Sequence, residues 1–370
     1  MLEQVPFRAE AEPVLDAILV PIAHETAELT KAIGFAARLD CVLVAFCSQR
    51  ASAAEAVRLA EGRGVELVAV DIDDMPGDLL PAFATTDVLR EAAFDYAKDT
   101  SAKRNLGLVF AQFAGWERVV FLDDDIHLPD PDDLERAAQL LDHYEVVGLE
   151  IGEFPDNSVV CHAHRATHGE QTTFIGGGAL AVGRASMGSF FPKIYNEDWF
   201  FLLNGDRLRP AAVIGAAEQK FYDPFATEER ARSEEFGDSL AEGVFWLLDQ
   251  GNGLAGASAA YWREFLDHRW RFIGEIIGRL DRTDHPPERA GRIRAALEAA
   301  RCESERITPS LCVDYLTAWR EDRERWHKHV ETMFADHAAG LSRHPGGTRA
   351  EKVLCELGLM ECAGYVRRGE

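Results

Sequence analysis

The 370-residue chain has no uninterrupted apolar run of about 18 residues, the length that would cross a bilayer. Its start, MLEQVPFRAEAEP, lacks the apolar core of a secretory signal. Positive charge is scarce: 39 Lys and Arg stand against 63 Asp and Glu, a net charge of −24. Nucleic acid and anionic membrane surfaces are gripped through basic patches, so neither is an expected partner. Cysteine is sparse and unpatterned. The seven residues, at 41, 47, 161, 302, 312, 355 and 362, are odd in number, widely spaced and form no CxxC. That suits reduced thiols in a cytoplasmic protein better than disulfides or zinc. Internal repeats and low-complexity stretches are also missing.

What remains is an ordinary globular composition, 47% hydrophobic and 28% charged, with length for about two domains. Its most informative stretch is Val119-Val120-Phe121-Leu122-Asp123-Asp124-Asp125-Ile126. Four apolar residues, two of them β-branched, read as a buried strand. Three carboxylates follow at its end, where open α/β sheets place their ligands. Alternation along a strand puts Asp123 and Asp125 on one side. Carboxylates that close repel unless a cation neutralises them. Hard oxygens suit Mg²⁺ or Mn²⁺, which also bind substrate phosphates. The plainer reading is an acidic loop after a strand.

The first half alternates element types. Strands are expected at Ala17 to Ile22, Cys41 to Cys47 and Val65 to Ile72, with helices at Glu25 to Leu39 and from a Ser48 cap through Ala60. Helices then run from about Asp87 to Ala114, ahead of the acidic strand. This β-α-β-α-β-α-β order implies a parallel sheet with helices on both faces. Pro131 opens a helix to about His143. Short strands are expected at Glu145 to Ile151, Ser158 to His162, Ala179 to Val182 and Ala211 to Ala216, with a helical segment from Glu197. From about Tyr261 the periodicity turns helical throughout: Trp262, Phe265, Ile273, Ile276 and Leu280 share one face, and Thr348 can cap a last helix.

The order of these parts resembles GT-A glycosyltransferases of the broad family 2 type. A β/α nucleotide half is followed by Lys103-Arg104-Asn105, FLDDD, GGGALAVGR (176–184) and YNEDWFF (195–201). The resemblance implies a GT-A (Rossmann-like) nucleotide-diphospho-sugar transferase core over 14–250, and leaves 251–370 as an all-helical C-terminal region. Asp123 and Asp125 match the D-x-D motif that holds Mn²⁺ or Mg²⁺ and the donor diphosphate, with Asp124 turned to the ribose or sugar. Arg104 and Asn105 match a segment that approaches the nucleotide. Gly177 and Gly178 match the turn lining the acceptor side, where a missing Cβ lets backbone approach a sugar. Glu197 and Asp198 match the "ED" pair, whose Asp is the usual base of inverting members. Some members add a late His to the metal, which makes His268 a candidate.

One departure stands out. Where the family often has Asp-Asp-Gly-Ser after its second strand, this chain has Phe46-Cys47-Ser48-Gln49. Base recognition then passes to Asp71 or Asp73. The donor is a UDP-, GDP- or dTDP-sugar and the acceptor a small soluble molecule. The C-terminal helices either close over the acceptor or form a homodimer interface. A retaining reaction stays open beside the inverting one.

Other readings fit less well. A sugar-phosphate nucleotidyltransferase needs a Gly-rich loop after its first strand, but this chain reads Val20-Pro21-Ile22-Ala23-His24-Glu25. A phosphatase with a strand-end Asp-x-Asp places it on the first strand, and here three strands precede it. A sugar-nucleotide-binding protein without turnover would not need Asp198. Several nearby residues have plainer roles open to them. Glu197 and Asp198 could serve only as the N-terminal charge of a short helix. His162 and His164 read as a polar strand edge, and the QKFYDPF segment as either a mobile acceptor loop or a solvated linker.

Overall fold

The computed structural model describes residues 15–96, 99–152, 157–170, 175–339 and 347–369, together with the strand Glu3–Gln4. Most of MLEQVPFRAEAEP therefore lies outside the described residues. Four parallel strands, β1 (Ala17–Ile22), β2 (Val42–Cys47), β3 (Glu66–Asp71) and β4 (Arg118–Leu122), stand side by side in the order β4-β1-β2-β3. They are continuous apolar runs because both faces are covered. Along β1, Ala17 and Leu19 enter one hydrophobic core while Ile18, Val20 and Ile22 enter another on the opposite face.

Helices α1 (Leu29–Leu39) and α2 (Ala53–Ala60) cover the second face. Ser52 caps α2 by accepting the Glu55 N–H at 3.3 Å. Ser48, the expected cap, is pulled elsewhere: its Oγ accepts from the buried Lys103 Nζ at 2.7 Å and donates to Asp99 at 2.5 Å. On the first face lie α3 (Ala84–Glu91) and α4 (Thr100–Ala114). Gly107 lets α4 approach the sheet, since a Cβ there would sit 3.0 Å from the Phe121 ring and 3.2 Å from Leu19.

The next elements are α5 (Asp132–Leu140), β5 (Val146–Ile151), α6 (Val159–Ala166), β6 (Ala179–Gly183), α7 (Glu197–Phe201) and β7 (Ala211–Gln219). β6 is inserted antiparallel between β4 and β5, and β7 continues the sheet parallel to β5. The strand expected at Ser158 to His162 is instead the helix α6. Ser158 caps it through the Cys161 N–H at 3.2 Å, and Val159, Val160 and Ala163 form one buried face. Over so short a stretch, β-branched composition outweighed helical spacing in the sequence reading.

Helices α8 (Glu228–Asp249), α9 (Ala259–Leu280), α10 (Pro287–Ser304), α11 (Pro309–Ala339) and α12 (Arg349–Glu356) follow. The C-terminal region is not all-helical, because β8 (Ala363–Val366) pairs antiparallel with β3. It covers the backbone edge that β3 would otherwise leave open. The helical part is tied to the sheet layer. Asp322 on α11, fully buried, accepts the N–H groups of Ala84 and Thr85 at 2.7 and 2.8 Å and so caps α3 from outside. One core holds Phe121 and Phe191 together with Trp262, Trp319 and Trp326. No helix among the described residues is long and apolar enough to cross a membrane. All seven cysteines are unbridged, five of them buried.

Candidate active site

At the ends of β1 and β4 the sheet opens into a cleft of about 730 Å³, lined by His24, Arg104, Asp123, Asp125, Gly176 to Gly178 and Tyr195 to Trp199. Three segments far apart in sequence meet there because β6 lies against β4. The Asp123 N–H donates to the Gly178 carbonyl at 2.9 Å, which locks the acidic turn to the glycine turn. The acidic triplet is a tight turn rather than further strand, with the Ile126 N–H on the Asp123 carbonyl at 3.2 Å. The sharing of one cleft expected from alternation survives: Asp123 and Asp125 line it. Asp124 faces the end of β1, where its carboxylate contacts the His24 ring at 3.0 Å and the backbone N–H groups of Ala23 and His24 at 3.4 Å. Asp124 itself is not among the residues that line the cleft, because the turn directs the middle carboxylate to the end of β1.

Arg104 is the hub. It projects from α4 and is almost fully buried. Nη2 donates to both oxygens of Asp123 at 2.9 and 3.0 Å, and Nη1 donates to Glu197 Oε1 at 2.7 Å. The Arg104 Nε–H has no partner among the described residues. Burial works against its charge, but Asp123, Glu197 and Asp198 hold it firmly protonated. A side chain at Gly177 would overlap this guanidinium, so the glycine turn and Arg104 occupy adjoining space. Asn105, next on α4, is not in the cleft. It exchanges bonds with the Phe191 backbone, 2.8 Å through Nδ2 and 2.7 Å through Oδ1, and fixes the loop ahead of α7. Its neighbour Lys103 is likewise structural, donating to the Ile22 carbonyl at 2.9 Å.

The Glu-Asp pair divides its work at the start of α7, where Asn196 takes a left-handed conformation, φ 63°. Glu197 turns to Arg104. Burial raises its carboxyl above the ordinary carboxylate range, against the pull of Arg104 and with help from the charge of Asp198. Asp198 turns to the glycine turn, accepting the Gly177 N–H at 2.5 Å through Oδ2 and the Trp199 N–H at 2.9 Å through Oδ1. Both carboxylates line the cleft as well as standing at the start of α7. Trp199 packs on Phe245 at 4.7 Å with an edge to the cleft, while Phe200 and Phe201 are core. Asp125 is held from the far strand: Oδ2 accepts from Gln219 Nε2 at 2.6 Å, and its carbonyl accepts the Lys220 N–H at 2.9 Å.

Three expected site residues lie elsewhere. Asp71 Oδ1 accepts the Ala53 N–H at 2.8 Å and serves the start of α2. Asp73 is exposed in a short 3-10 turn after β3, and neither residue lines the cleft. The third strand stands three places along the sheet from β4, with β1 and β2 between them. His268 sits on α9 with its ring 5.3 Å from Trp246, lining a separate pocket of about 290 Å³ with Cys161, Glu242 and Arg269. Cys161, Asp238 and Glu242 converge there, but Arg269 already donates to Asp238 and Glu242, both at 2.6 Å.

Sequence reasoning missed other wall residues: His24, Ser101, Gln219 and Arg230. The QKFYDPF segment is partly packed, with Pro224 and Phe225 buried and Lys220 and Phe221 exposed. Tyr222 contacts His162 Nε2 at 3.1 Å, and Arg230 stacks on the Tyr222 ring at 4.1 Å. The acidic pairs after it belong to α8, where Glu234 and Glu235 are buried. His162 and His164, on α6, face different partners, His164 meeting Arg279 at 2.6 Å.

No protein-family model matches the chain, and no curated protein sequence matches it. Among solved structures, the chain is similar to A197 from STIV at 12% identity and TM-score 0.31, over 57% of this chain and 87% of that one. It is also similar to the mannosyltransferase PcManGT from Pyrobaculum calidifontis, solved with GDP-Man and Mn²⁺, at 14% identity and TM-score 0.38, over 96% of this chain and 82% of that one.

Proposed function

We propose that this chain is a metal-dependent glycosyltransferase that moves a sugar from a nucleoside-diphosphate sugar to an acceptor hydroxyl with inversion. The observation that carries the reading is the constellation around Arg104. Asp123, Asp125, Glu197 and Asp198, from two distant segments, share one cleft at the ends of parallel strands, where the Arg104 guanidinium donates to Asp123 and Glu197. The cleft is lined by seven carboxylates (Asp99, Asp123, Asp125, Glu197, Asp198, Glu229 and Glu234) and two guanidiniums (Arg104 and Arg230), which leaves excess negative charge, and the carboxylates offer hard oxygens. That set fits a divalent cation such as Mn²⁺ or Mg²⁺ held by Asp123 and Asp125 together with a diphosphate. Such an ion supplies charge neutralisation to the departing diphosphate.

The chain's own groups do the rest. The N-terminal turn of α4 opens onto the cleft through Asp99, Thr100 and Ser101, and its partial positive charge favours an anionic donor group. Arg104 holds Asp123 and Glu197 in place. Asp198, oriented by the Gly177 and Trp199 N–H groups, takes the acceptor hydroxyl's proton as that oxygen bonds to the anomeric carbon. The bond from anomeric carbon to diphosphate oxygen breaks, and the nucleoside diphosphate leaves with the electron pair. The missing Cβ at Gly177 lets the Arg104 guanidinium pack directly against the glycine turn beside that base.

The test is to incubate the full chain with UDP-, GDP- and dTDP-sugars and Mn²⁺ or Mg²⁺ and to measure released nucleoside diphosphate. Metal-dependent release from one nucleotide class is expected. Asp125→Ala should abolish metal-dependent donor binding in calorimetry, and unchanged affinity would refute the metal assignment.

A further inference from the structure

Beside the cleft lies a second cavity of about 410 Å³, lined by His162, Arg165, Phe221, Asp223, Arg289 and Arg292 among others. Its walls hold three guanidinium groups against one carboxylate, in a chain whose net charge is −24. Arg165 comes from the last turn of α6. Arg289 and Arg292 lie three residues apart at the start of α10, on one face. The two elements are held together where His285 contacts the Ala166 carbonyl at 2.8 Å.

Arg165, in the last turn of α6, and Glu288, in the first turn of α10, follow the helix dipoles, but Arg289 does not. A helix N-terminus favours acidic side chains, yet α10 places Arg289 in its first turn, and Pro286 gives that turn no side-chain cap. The side chains of Arg165 and Arg289 make no hydrogen bond and no ion pair with any described residue. Arg292 has only long contacts, 3.5 Å to Asp223 and 3.5 Å to Glu288. Asp223 is partly committed to its own turn through the Phe225 N–H at 3.0 Å. His162 brings no charge, because burial and the nearby Arg230 and Arg165 hold it neutral, its pKa lowered to about 3. Exposed guanidinium groups that outnumber the carboxylates beside them are suited to a planar or tetrahedral oxyanion, which they bind by paired, charge-assisted hydrogen bonds.

The cavity is set one residue away from the transfer cleft. Tyr222 lines the cleft, while its chain neighbours Phe221 and Asp223 line the cavity, and His162 on the cavity side bonds the Tyr222 hydroxyl. We infer that this arginine cavity binds the phosphate monoester of a phosphorylated acceptor, whose hydroxyl is then presented to the cleft. The acceptor role rests on the transferase reading above, whereas the anion site stands without it. A phosphate monoester carries about −1.5 to −2 at neutral pH, which complements three guanidiniums offset by one carboxylate.

Two measurements on the full chain separate the two claims. In the first, inorganic phosphate is titrated by calorimetry at constant ionic strength. Arg165→Ala combined with Arg289→Ala should weaken it at least about tenfold, the loss expected for charged hydrogen bonds. Arg63→Ala, an exposed arginine on the loop before β3, is the control and should leave it unchanged. Absence of phosphate binding, or equal binding by the double variant, overturns the proposal. In the second, nucleoside diphosphate release is measured with a hexose 6-phosphate and with the same hexose unphosphorylated. The phosphorylated sugar should stimulate release, and the double variant should lose that stimulation while keeping donor affinity. Equal stimulation by the neutral sugar refutes the acceptor role. If no sugar nucleotide binds at all, the transferase reading fails, and the phosphate titration still decides the anion site.

Discussion

Two arginines, each almost fully buried among carboxylates, organise different parts of the molecule. Arg269 lies between α8 and α9. Nε and Nη2 donate to Glu235 at 3.1 and 2.9 Å, Nη2 also to Asp238 at 2.6 Å, and Nη1 to Glu242 at 2.6 Å. Every nitrogen of that guanidinium is used. Arg104, at the cleft, leaves its Nε–H without a partner, and the carboxylates around it open onto solvent-accessible space. The Arg269 guanidinium is closed by its partners even though Glu242 borders a pocket, whereas the Arg104 guanidinium keeps one nitrogen open at the cleft. The same residue types thus form a fully paired guanidinium in one place and a partly paired one in the other.

The largest expected effect lies on the open side. Asp198→Asn keeps the hydrogen bonds' shape but removes the proton acceptor, so turnover should fall by about 10²–10⁴ with donor affinity within a few-fold. Steady-state rates alongside calorimetry check it. Normal turnover in this variant with loss in Glu197→Gln would exchange the two roles, and activity in both would favour the retaining reaction.

On the closed side, Arg269→Met should lower stability by about 3–5 kcal/mol in urea unfolding, because it strands several buried carboxylates. The same substitution at Arg104 should cost less stability, since water can reach its partners from the cleft, and more donor binding. Equal stability losses at both sites would erase the distinction drawn between them.

Gly177→Ala tests how tightly the open cluster is fitted. The added methyl must displace the Arg104 guanidinium, so a loss of about 1–3 kcal/mol in stability is expected with weaker donor binding. Unchanged donor binding would place Arg104 outside the donor site.

The smallest effect concerns pH. Burial raises the Glu197 carboxyl in the folded chain above its ordinary value of 4.5. A raised folded pKa means that the folded state holds the proton more tightly, so this contribution is full below 4.5 and fades as pH climbs through the raised value. Glu197→Gln, which mimics the protonated form, should therefore gain on the wild type in melting temperature as pH rises through that window. A difference that stays flat with pH would show that Arg104 fully offsets the burial.

Sequence alone determined the parts with strong local signals. The buried parallel strands were legible because both-face burial demands unbroken apolar runs, as in Val119 to Leu122. Asp123, Asp125, Glu197, Asp198 and the glycine turn were legible as cleft residues from their order along the chain. Other features had no local signal. The direction of Asp124 depends on a backbone turn, and the use of Asn105 on a loop 86 residues away. The placement of His268 followed from which face of α9 packs on α8. Likewise β8, four residues near the C-terminus, became a strand only because the open edge of β3 was there to pair with it. The arginine cavity joins α6 and α10, more than 120 residues apart, through contacts that no spacing rule encodes. Helical and strand periodicity report on neighbours along the chain, while a charge's partner is chosen by whatever folding brings within about 3 Å. The chemistry available to this protein was therefore written in residue order, and its geometry was decided by packing.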